Sequence, residues 1–139
     1  MAQIVIPDAS VILKWVLSSA DEEDQDKALE IRDLAIEGKL ILKVPSLWFY
    51  EVGNIISRNF PKQSKELLEA LSEFGLEEVA WNKEWLDKCL FVVQHHKVTF
   101  YDAAYHSLAL VENGTFVTAD KQYVRRAQAS GSVVSIDNW

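Results

Sequence analysis

The stretch GTFVTADKQYV, residues 114–124, carries the pattern of a buried strand that runs directly into a helix. Phe116 and Val117 form a short apolar run, and a helical pattern begins after Asp120. The Asp120 carboxylate therefore stands at the point where a buried strand reaches the surface. Two explanations are open at this stage. Asp120 is either the N-cap of the following helix or one member of an acidic cluster that binds a metal ion.

The same alternation of strand and helix extends along the whole chain. Short apolar runs predict strands at residues 4–6, 40–44, 115–119 and 132–136, with an ambiguous one at 76–81. Apolar residues at helical spacing predict helices at residues 10–17, 28–39, 46–58, 62–75, 82–96, 99–114 and 120–131. An acidic segment, residues 19–27, separates the first two of these helices. Alternating strands and helices predict an α/β fold around a parallel sheet, as a single domain over residues 1–139.

The composition limits the classes of protein that this chain can be. Of its 139 residues, 49% are apolar and 25% are charged, which favours one well-packed domain. The formal net charge is −7, which argues against a protein that holds nucleic acid through its overall charge, because Lys and Arg drive phosphate binding. A local basic rim around an acidic, metal-loaded site remains compatible with that charge.

Cysteine usage and hydropathy give an expectation about location. Cys89 is the only cysteine, so an intrachain disulfide and a zinc site of paired cysteines are excluded. The N-terminal residues lack the basic start and long apolar stretch of a signal peptide, and no apolar run approaches the ~18 residues of a membrane span. We expect a cytoplasmic protein without a membrane partner.

Carboxylates follow two of the predicted strands. Asp8 comes after the first strand, and Asp120 comes after the strand at 115–119. Ligand sites of a parallel sheet form outside the carboxyl ends of its strands, so the two side chains would face one crevice if these strands are neighbours. Each also has a structural explanation as an N-cap. Asp102, three residues after Thr99, has the spacing of a capping box.

Glu51 is harder to explain by local structure. It lies too deep in a predicted helix to be a cap, and its neighbours in sequence are largely apolar. A carboxylate at the edge of a buried face is costly unless it is paired or bound to a metal, and a salt bridge to a nearby Lys is the structural alternative. Oxygen ligands without paired Cys or His favour Mg²⁺ or Mn²⁺, which promote phosphodiester hydrolysis.

Other residues have predicted supporting roles. Thr118 and Ser10 are expected to orient carboxylates or a water molecule, and Asn54 to hydrogen-bond to Glu51. The basic residues of the last helix could meet a phosphate backbone, although a solvated face is the commoner explanation; they are Lys121, Arg125 and Arg126. Four aromatic residues could serve association or belong to the core, namely Trp15, Trp48, Phe49 and Tyr50. In the helix from Asn82, the expected inward residues are Leu86, Cys89, Leu90 and Val93.

Four segments resemble the successive motifs of PIN-domain ribonucleases, particularly the VapC-like toxins of prokaryotic toxin–antitoxin modules. They are IPDASVILKW, PSLWFYEVGN, TFYDAAYHSLAL and FVTADKQYVRRA, and they occur in the order of the family. The resemblance implies a PIN-like α/β/α sandwich with a central parallel sheet and an acidic pocket for Mg²⁺ or Mn²⁺. Matched by motif, the catalytic and metal-binding acids would be Asp8, Glu51, Asp102 and Asp120, supported by Thr118.

The resemblance also implies an activity and partners. Members of this family cleave RNA, are commonly homodimers, and in toxin systems are silenced by an antitoxin that obstructs the pocket. The leading hypothesis is therefore a metal-dependent endoribonuclease toxin. Pro7 and His106 stand at positions where an apolar residue is more usual. One alternative is a catalytically silent protein- or ion-binding module. Another is a phosphate-accepting receiver-like protein, which fits the helical positions of Glu51 and Asp102 poorly.

Overall fold

A single parallel sheet forms the centre of the molecule. The computed structural model describes residues 2–17 and 22–139. Within these residues the sheet has five strands in the order β3-β2-β1-β4-β5, and every neighbouring pair is parallel. The strands are β1 (Gln3–Pro7), β2 (Leu40–Val44), β3 (Glu77–Glu78), β4 (Thr115–Thr118) and β5 (Val133–Ser135). The predicted α/β class is confirmed.

Helices flank the sheet because parallel strands need crossover connections. The part of the chain that the structure describes has seven α-helices: α1 (Ala9–Leu13), α2 (Gln25–Ile36), α3 (Leu47–Asn59), α4 (Ser64–Ser72), α5 (Lys83–His96), α6 (Phe100–Glu112) and α7 (Lys121–Ala127). This arrangement is the expected α/β/α layering. None of these described helices has both the length and the apolar character needed to cross a membrane.

The core lies around the two central strands and helix α6. Val5 and Ile6 of β1 and Phe116 and Val117 of β4 are almost completely buried. Helix α6 packs against β1, β4 and α5, and residues 103–109 within it are all buried. A helix that is buried on nearly every side is held rigidly by its neighbours. The first turn of α6, which carries Asp102, is therefore fixed at the carboxyl edge of the sheet.

The first helix is shorter than the sequence predicted. Helix α1 ends at Leu13, and the chain then turns so that the Trp15 indole donates to the Ala28 carbonyl at 2.8 Å. The buried Lys14 ammonium forms an ion pair with Glu22 at 2.8 Å. These tertiary contacts stabilise the turn more than a longer α1 helix would. The predicted acidic segment falls partly at residues 19–21, outside the described residues, and α2 begins at Gln25, before the predicted position 28.

Helix α5 buries Cys89 as predicted, but it does not turn Leu86 and Leu90 inward. The structure buries Trp85, Cys89 and Val92, whereas Leu86 and Leu90 are 42% and 39% exposed. The Trp85 indole explains the rotation, because it donates to the Ala104 carbonyl and to the Ser107 hydroxyl of α6. The aromatic residues also divide into two groups: Trp15 and Trp48 belong to the core, and Phe49 and Tyr50 are exposed.

Candidate active site

Asp8 lies directly after β1, at the carboxyl edge of the sheet. Its Oδ1 accepts hydrogen bonds from the Ser10 hydroxyl at 2.5 Å and from the Val11 amide at 3.3 Å. Its Oδ2 accepts one from the Thr118 hydroxyl at 2.6 Å. The amide contact makes Asp8 the N-cap of α1. The contact with Thr118 goes beyond capping, because it holds the carboxylate against the neighbouring strand β4.

Thr118 connects two of the predicted acids. Its hydroxyl donates to Asp8 and accepts from the backbone amide of Asp120 at 3.0 Å. Ser10 makes a parallel link, since its hydroxyl accepts from the Ala119 amide at 3.0 Å while donating to Asp8. The turns after β1 and β4 are therefore fastened to each other. The positions of Thr118 and Ser10 are those that an orienting role requires.

Asp120 is an N-cap in geometry and also lines a cavity. Its Oδ1 accepts a hydrogen bond from the Tyr123 amide at 3.0 Å, so Asp120 is the N-cap of α7. The same residue contributes to the wall of a cavity of about 380 Å³ together with Asp102. Capping and a place in the acidic cavity are thus compatible, because one carboxylate oxygen is enough for the cap.

Glu51, the fifth residue of α3, pairs with a tyrosine. Its Oε1 accepts a hydrogen bond from the Tyr105 hydroxyl at 2.5 Å. The ion pairs of the described residues include none between Glu51 and a Lys, so the salt-bridge alternative is not realised there. The predicted partner Asn54 is exposed and makes no side-chain hydrogen bond to Glu51 within that part of the chain.

Tyr105 is the site residue that the sequence reasoning missed. It lies three residues after Asp102 and so on the same side of α6, and it is 1% exposed. A buried tyrosine needs a partner for its hydroxyl, and this is the signal that could have found it. Burial, with the nearby Glu51 carboxylate, raises the pKa of Tyr105 well above its usual range. The hydroxyl therefore stays protonated and donates to Glu51.

Asp102 is electrostatically central among the four acids. The Thr99 hydroxyl accepts from the Asp102 amide at 3.1 Å, so Thr99 caps α6, and Asp102 lines the cavity. The negative charge of Asp102 contributes to raising the pKa of both Asp8 and Glu51, and that of Asp120 contributes to raising the pKa of Asp102. Asp102 and Asp120 line the cavity together, whereas Asp8 and Glu51 are not part of its lining.

The pKa of three of these acids is raised, and the main cause is burial. Burial raises the pKa of Asp8 from 3.8 to about 6, although the hydrogen bonds from Ser10 and Thr118 oppose it. Burial likewise raises the pKa of Glu51 and of Asp102. Each group carries a charge that its surroundings stabilise incompletely. Such perturbed acids are concentrated at functional sites.

A buried tyrosine of the cavity lining is hydrogen-bonded to a buried histidine. Tyr123 lines the cavity, and its hydroxyl lies 2.8 Å from Nδ1 of His106. The other ring nitrogen, Nε2, lies 2.7 Å from the Gly131 carbonyl oxygen, which can only accept. Nε2 therefore carries the proton, and Nδ1 accepts from Tyr123. Burial lowers the pKa of His106, which keeps the ring neutral, and the pair explains a His at an otherwise apolar position.

Sequence and geometry together decide the family. Residues 5–129 match the model of the PIN domain family. The chain belongs to the PIN domain family. PIN domains are generally nucleases. The family assignment made from the four sequence motifs is therefore confirmed, and no curated protein sequence matches this PIN domain significantly.

Solved structures with the same fold have low sequence identity to this PIN domain. The crystal structure of PAE2754 from Pyrobaculum aerophilum matches with a TM-score of 0.68 and 19% identity, over 99% of this chain and 94% of that one. VapBC2 from Rickettsia felis, bound to a DNA fragment from its promoter, matches with 0.68 and 16%, over 96% and 97%. A toxin–antitoxin complex from Klebsiella pneumoniae matches with 0.66 and 13%, over 95% and 97%.

The side chains of this PIN domain suit a hard divalent cation by their chemistry. The acids at the carboxyl edge offer only oxygen atoms, and their raised pKa values indicate negative charge that a cation would stabilise. In the arrangement described for residues 2–17 and 22–139, however, no three Asp, Glu, His or Cys side chains form a ready-made metal cluster. Assignment of Asp8, Glu51, Asp102 and Asp120 as metal ligands therefore stays a prediction.

Proposed function

We propose that this PIN domain is an endoribonuclease that depends on Mg²⁺ or Mn²⁺ and acts as the toxin of a toxin–antitoxin pair. The observation that supports it most strongly is that Asp102 and Asp120 line one cavity, while Thr118 joins Asp8 to the turn that carries Asp120. Asp8, Glu51, Asp102 and Asp120 would hold the cation. When bound, that ion supplies a nucleophilic hydroxide and stabilises the leaving oxygen of the phosphodiester.

The remaining groups of the site act by holding these acids in place. Ser10 and Thr118 each donate to a different oxygen of Asp8, so the carboxylate plane is fixed relative to β1 and β4. Tyr105 fixes Glu51 in the same way from the buried helix α6. Rigid support of this kind keeps acids at a defined geometry before substrate arrives, which lowers the cost of organising the site during the reaction.

The partners of this proposal are an RNA substrate, an antitoxin and a second copy of the chain. Two structural neighbours are toxin–antitoxin proteins, which supports an antitoxin as partner. Exposed apolar side chains on α3 and α5 support a homodimer, namely Phe49, Tyr50, Leu86, Leu90 and Phe91. We further propose that residues 1–139 form one domain that works in the cytoplasm.

A nuclease assay tests the activity directly. The purified protein is incubated with single-stranded RNA or with DNA of the same sequence, in EDTA, Mg²⁺ or Mn²⁺. We expect RNA fragments with either metal and none in EDTA, and no cleavage by an Asp102→Asn variant. Asp87→Asn is a matched control, because Asp87 is an exposed acid on α5 that is not part of the cavity lining. Cleavage that persists in EDTA would contradict the metal dependence.

A catalytically silent binding module is the second candidate. Both oxygens of Asp8 are already engaged by hydroxyl donors, and its pKa of about 6 leaves part of it protonated just below neutral pH. These features favour it, because a cation would have to compete with a proton at this position. A thermal melt distinguishes the two functions. Stabilisation by Mg²⁺ without any cleavage of RNA would support the silent module.

A further inference from the structure

We propose that Lys97 and Arg126 form a phosphate-binding subsite on the wall of the acidic cavity, and that this subsite binds the backbone of a single-stranded RNA next to the cleaved bond. The inference rests on the proposed function and adds the residues that hold the substrate. It assigns positive side chains to a protein whose formal net charge is −7.

The two cations share a cavity with the two outer acids. The lining of the cavity of about 380 Å³ includes Lys97 and Arg126 together with Asp102 and Asp120. Lys97 comes from the end of α5 and Arg126 from α7, so two separate elements bring positive charge to one place. A cavity lined by both acidic and basic side chains suits a phosphodiester. The basic side chains can bind phosphate oxygens that the acids would otherwise repel.

Neither cation has its charge satisfied within the described part of the molecule. Among residues 2–17 and 22–139, the ion pairs of 4.0 Å or less involve other Lys and Arg side chains and not these two. Both residues are exposed, so a ligand can reach them. Unpaired cations that line a concave site are available for an anionic substrate without first breaking an internal salt bridge.

The backbone at Lys97 adds a second observation. Lys97 has φ of 54°, in the left-handed region that residues other than Gly adopt uncommonly. Gly is the usual residue at such a helix end, because it adopts this conformation without steric cost. A lysine in this position places a long cationic side chain at the cavity where a glycine would place none.

The structure selects different basic residues from those that the sequence highlighted. By sequence, the residues that could meet a phosphate backbone are Lys121, Arg125 and Arg126, although a solvated face is the commoner explanation. Lys121 forms an ion pair with Asp137 at 3.1 Å, and Arg125 does not line the cavity. Arg126 alone of these three reaches the cavity wall, and it is joined there by Lys97 from α5. Helical rotation of about 100° per residue separates the two neighbouring arginines.

Two exposed aromatic residues at the start of α6 favour a single strand over a duplex. Phe100 and Tyr101 directly precede Asp102 and are 42% and 62% exposed. Unpaired bases stack on such side chains, whereas the bases of a duplex are not available for stacking. Cations for the backbone and aromatic faces for the bases are the two components of a single-strand binding site.

Binding of RNA without cleavage tests the subsite independently of the activity. The probe is a fluorescein-labelled, mixed-sequence, single-stranded RNA of about 12 nucleotides, a length within the range of single-strand binding sites. Fluorescence anisotropy in EDTA measures affinity between about 50 and 200 mM NaCl, the range over which phosphate contacts lose strength. The proteins are the wild type, Lys97→Gln, Arg126→Gln and the control Arg125→Gln, which removes the same charge from the adjacent residue.

The expected result is a local and not a general charge effect. Each of Lys97→Gln and Arg126→Gln should weaken binding roughly tenfold at the lowest salt and reduce the slope of log K against log salt by about 0.7. Arg125→Gln should change the affinity for RNA less than about twofold, because it alters only the long-range electrostatic potential at the cavity. In Mg²⁺, Arg126→Gln should raise KM with kcat within about twofold of wild type.

Three outcomes would overturn the subsite. Arg125→Gln could weaken binding as much as Arg126→Gln, the two cavity variants could bind like wild type, or the wild type could fail to bind the RNA at all. Failure of the proposed function has a different signature. If no variant cleaves RNA but the cavity variants still bind it more weakly than Arg125→Gln does, the subsite stands and the nuclease activity does not. Thermal melts of all variants confirm that each is folded.

Discussion

Thr118 and Asp8 are joined by a hydrogen bond of 2.6 Å that connects the ends of the two central strands. The residues are far apart in sequence and meet because β1 and β4 pair in parallel, with Pro7 opposite Val117. Thr118 also accepts from the Asp120 amide. One hydroxyl therefore positions an acid on each side of the junction, and changes at Thr118 should affect both.

Asp8→Asn should stabilise the metal-free protein near neutral pH while abolishing cleavage. The pKa of Asp8 is raised from 3.8 to about 6, so the folded state holds this proton more tightly than the unfolded chain does. The stability that this tighter proton binding adds is complete below about pH 4 and is lost as the pH rises through about 6. At pH 7.5 in EDTA, the neutral amide should therefore increase the free energy of unfolding by about 1 to 3 kcal/mol.

Melts of Asp8→Asn and wild type at pH 4 and pH 7.5 measure this effect. The stabilisation should be present at the higher pH and largely absent at the lower one, where Asp8 is protonated in the folded state and the pH lies close to its pKa of 3.8 in the unfolded chain. An equal change in Tm at the two pH values would show that the carboxylate charge is not its source. A loss of stability confined to pH 7.5 would indicate that the charged form is well compensated.

Mg²⁺ should stabilise the folded protein, and more strongly at pH 7.5 than at pH 5. Ligand that binds only the folded state adds about 1.4 kcal/mol when its free concentration is about ten times Kd. Protons compete for the same carboxylates, because the pKa of Asp8, Glu51 and Asp102 is raised. Calorimetry with and without Mg²⁺ measures the shift. It should vanish in Asp102→Asn and persist in Asp87→Asn; an equal shift in both variants would count against the site.

Tyr105→Phe should move the pH dependence of cleavage. The Tyr105 hydroxyl lowers the pKa of Glu51, which burial raises, so removing the hydroxyl raises that pKa further. Less Glu51 is then ionised in mildly acidic solution, and the acidic limb of the rate profile should shift to higher pH. The free energy of unfolding should fall by about 1 kcal/mol through the lost hydrogen bond. Tyr50→Phe keeps the exposed ring on α3 that a dimer would use and removes only a hydroxyl, so it should leave both measurements unchanged.

Asp120→Asn separates the two roles of Asp120. Asn is an equally good N-cap, so the free energy of unfolding should change by only a few tenths of a kcal/mol up to about 1. Cleavage should fall far more, because a negative charge is lost from the cavity. A melt and a cleavage assay on the same preparation measure both. The control is Asn82→Asp, which exchanges the same two residue types at the cap of α5. Wild-type cleavage by Asp120→Asn would show that Asp120 only caps α7.

Much of the fold could be predicted because local patterns record it. The strand at residues 40–44 has the predicted bounds, and Asn82 and Thr99 cap α5 and α6 as expected. The failures occur where long-range contacts compete with local preference. The inward face of α5 depends on the hydrogen bonds of Trp85 to α6, which periodicity cannot reveal. Helix α1 ends early for a similar reason, since Trp15 bonds to α2.

The sequence by itself determined the α/β class and the PIN family and predicted the four acids, because strand runs, helix caps and motifs are local properties of the chain. Only the tertiary structure decided their partners. It paired Glu51 with Tyr105, not with Asn54 or a Lys, and it brought Lys97 to the same cavity as Arg126. Which side chains meet depends on strand order and on the rotation of each helix about its axis. Both are set by packing between distant segments, and no short stretch of sequence contains that information.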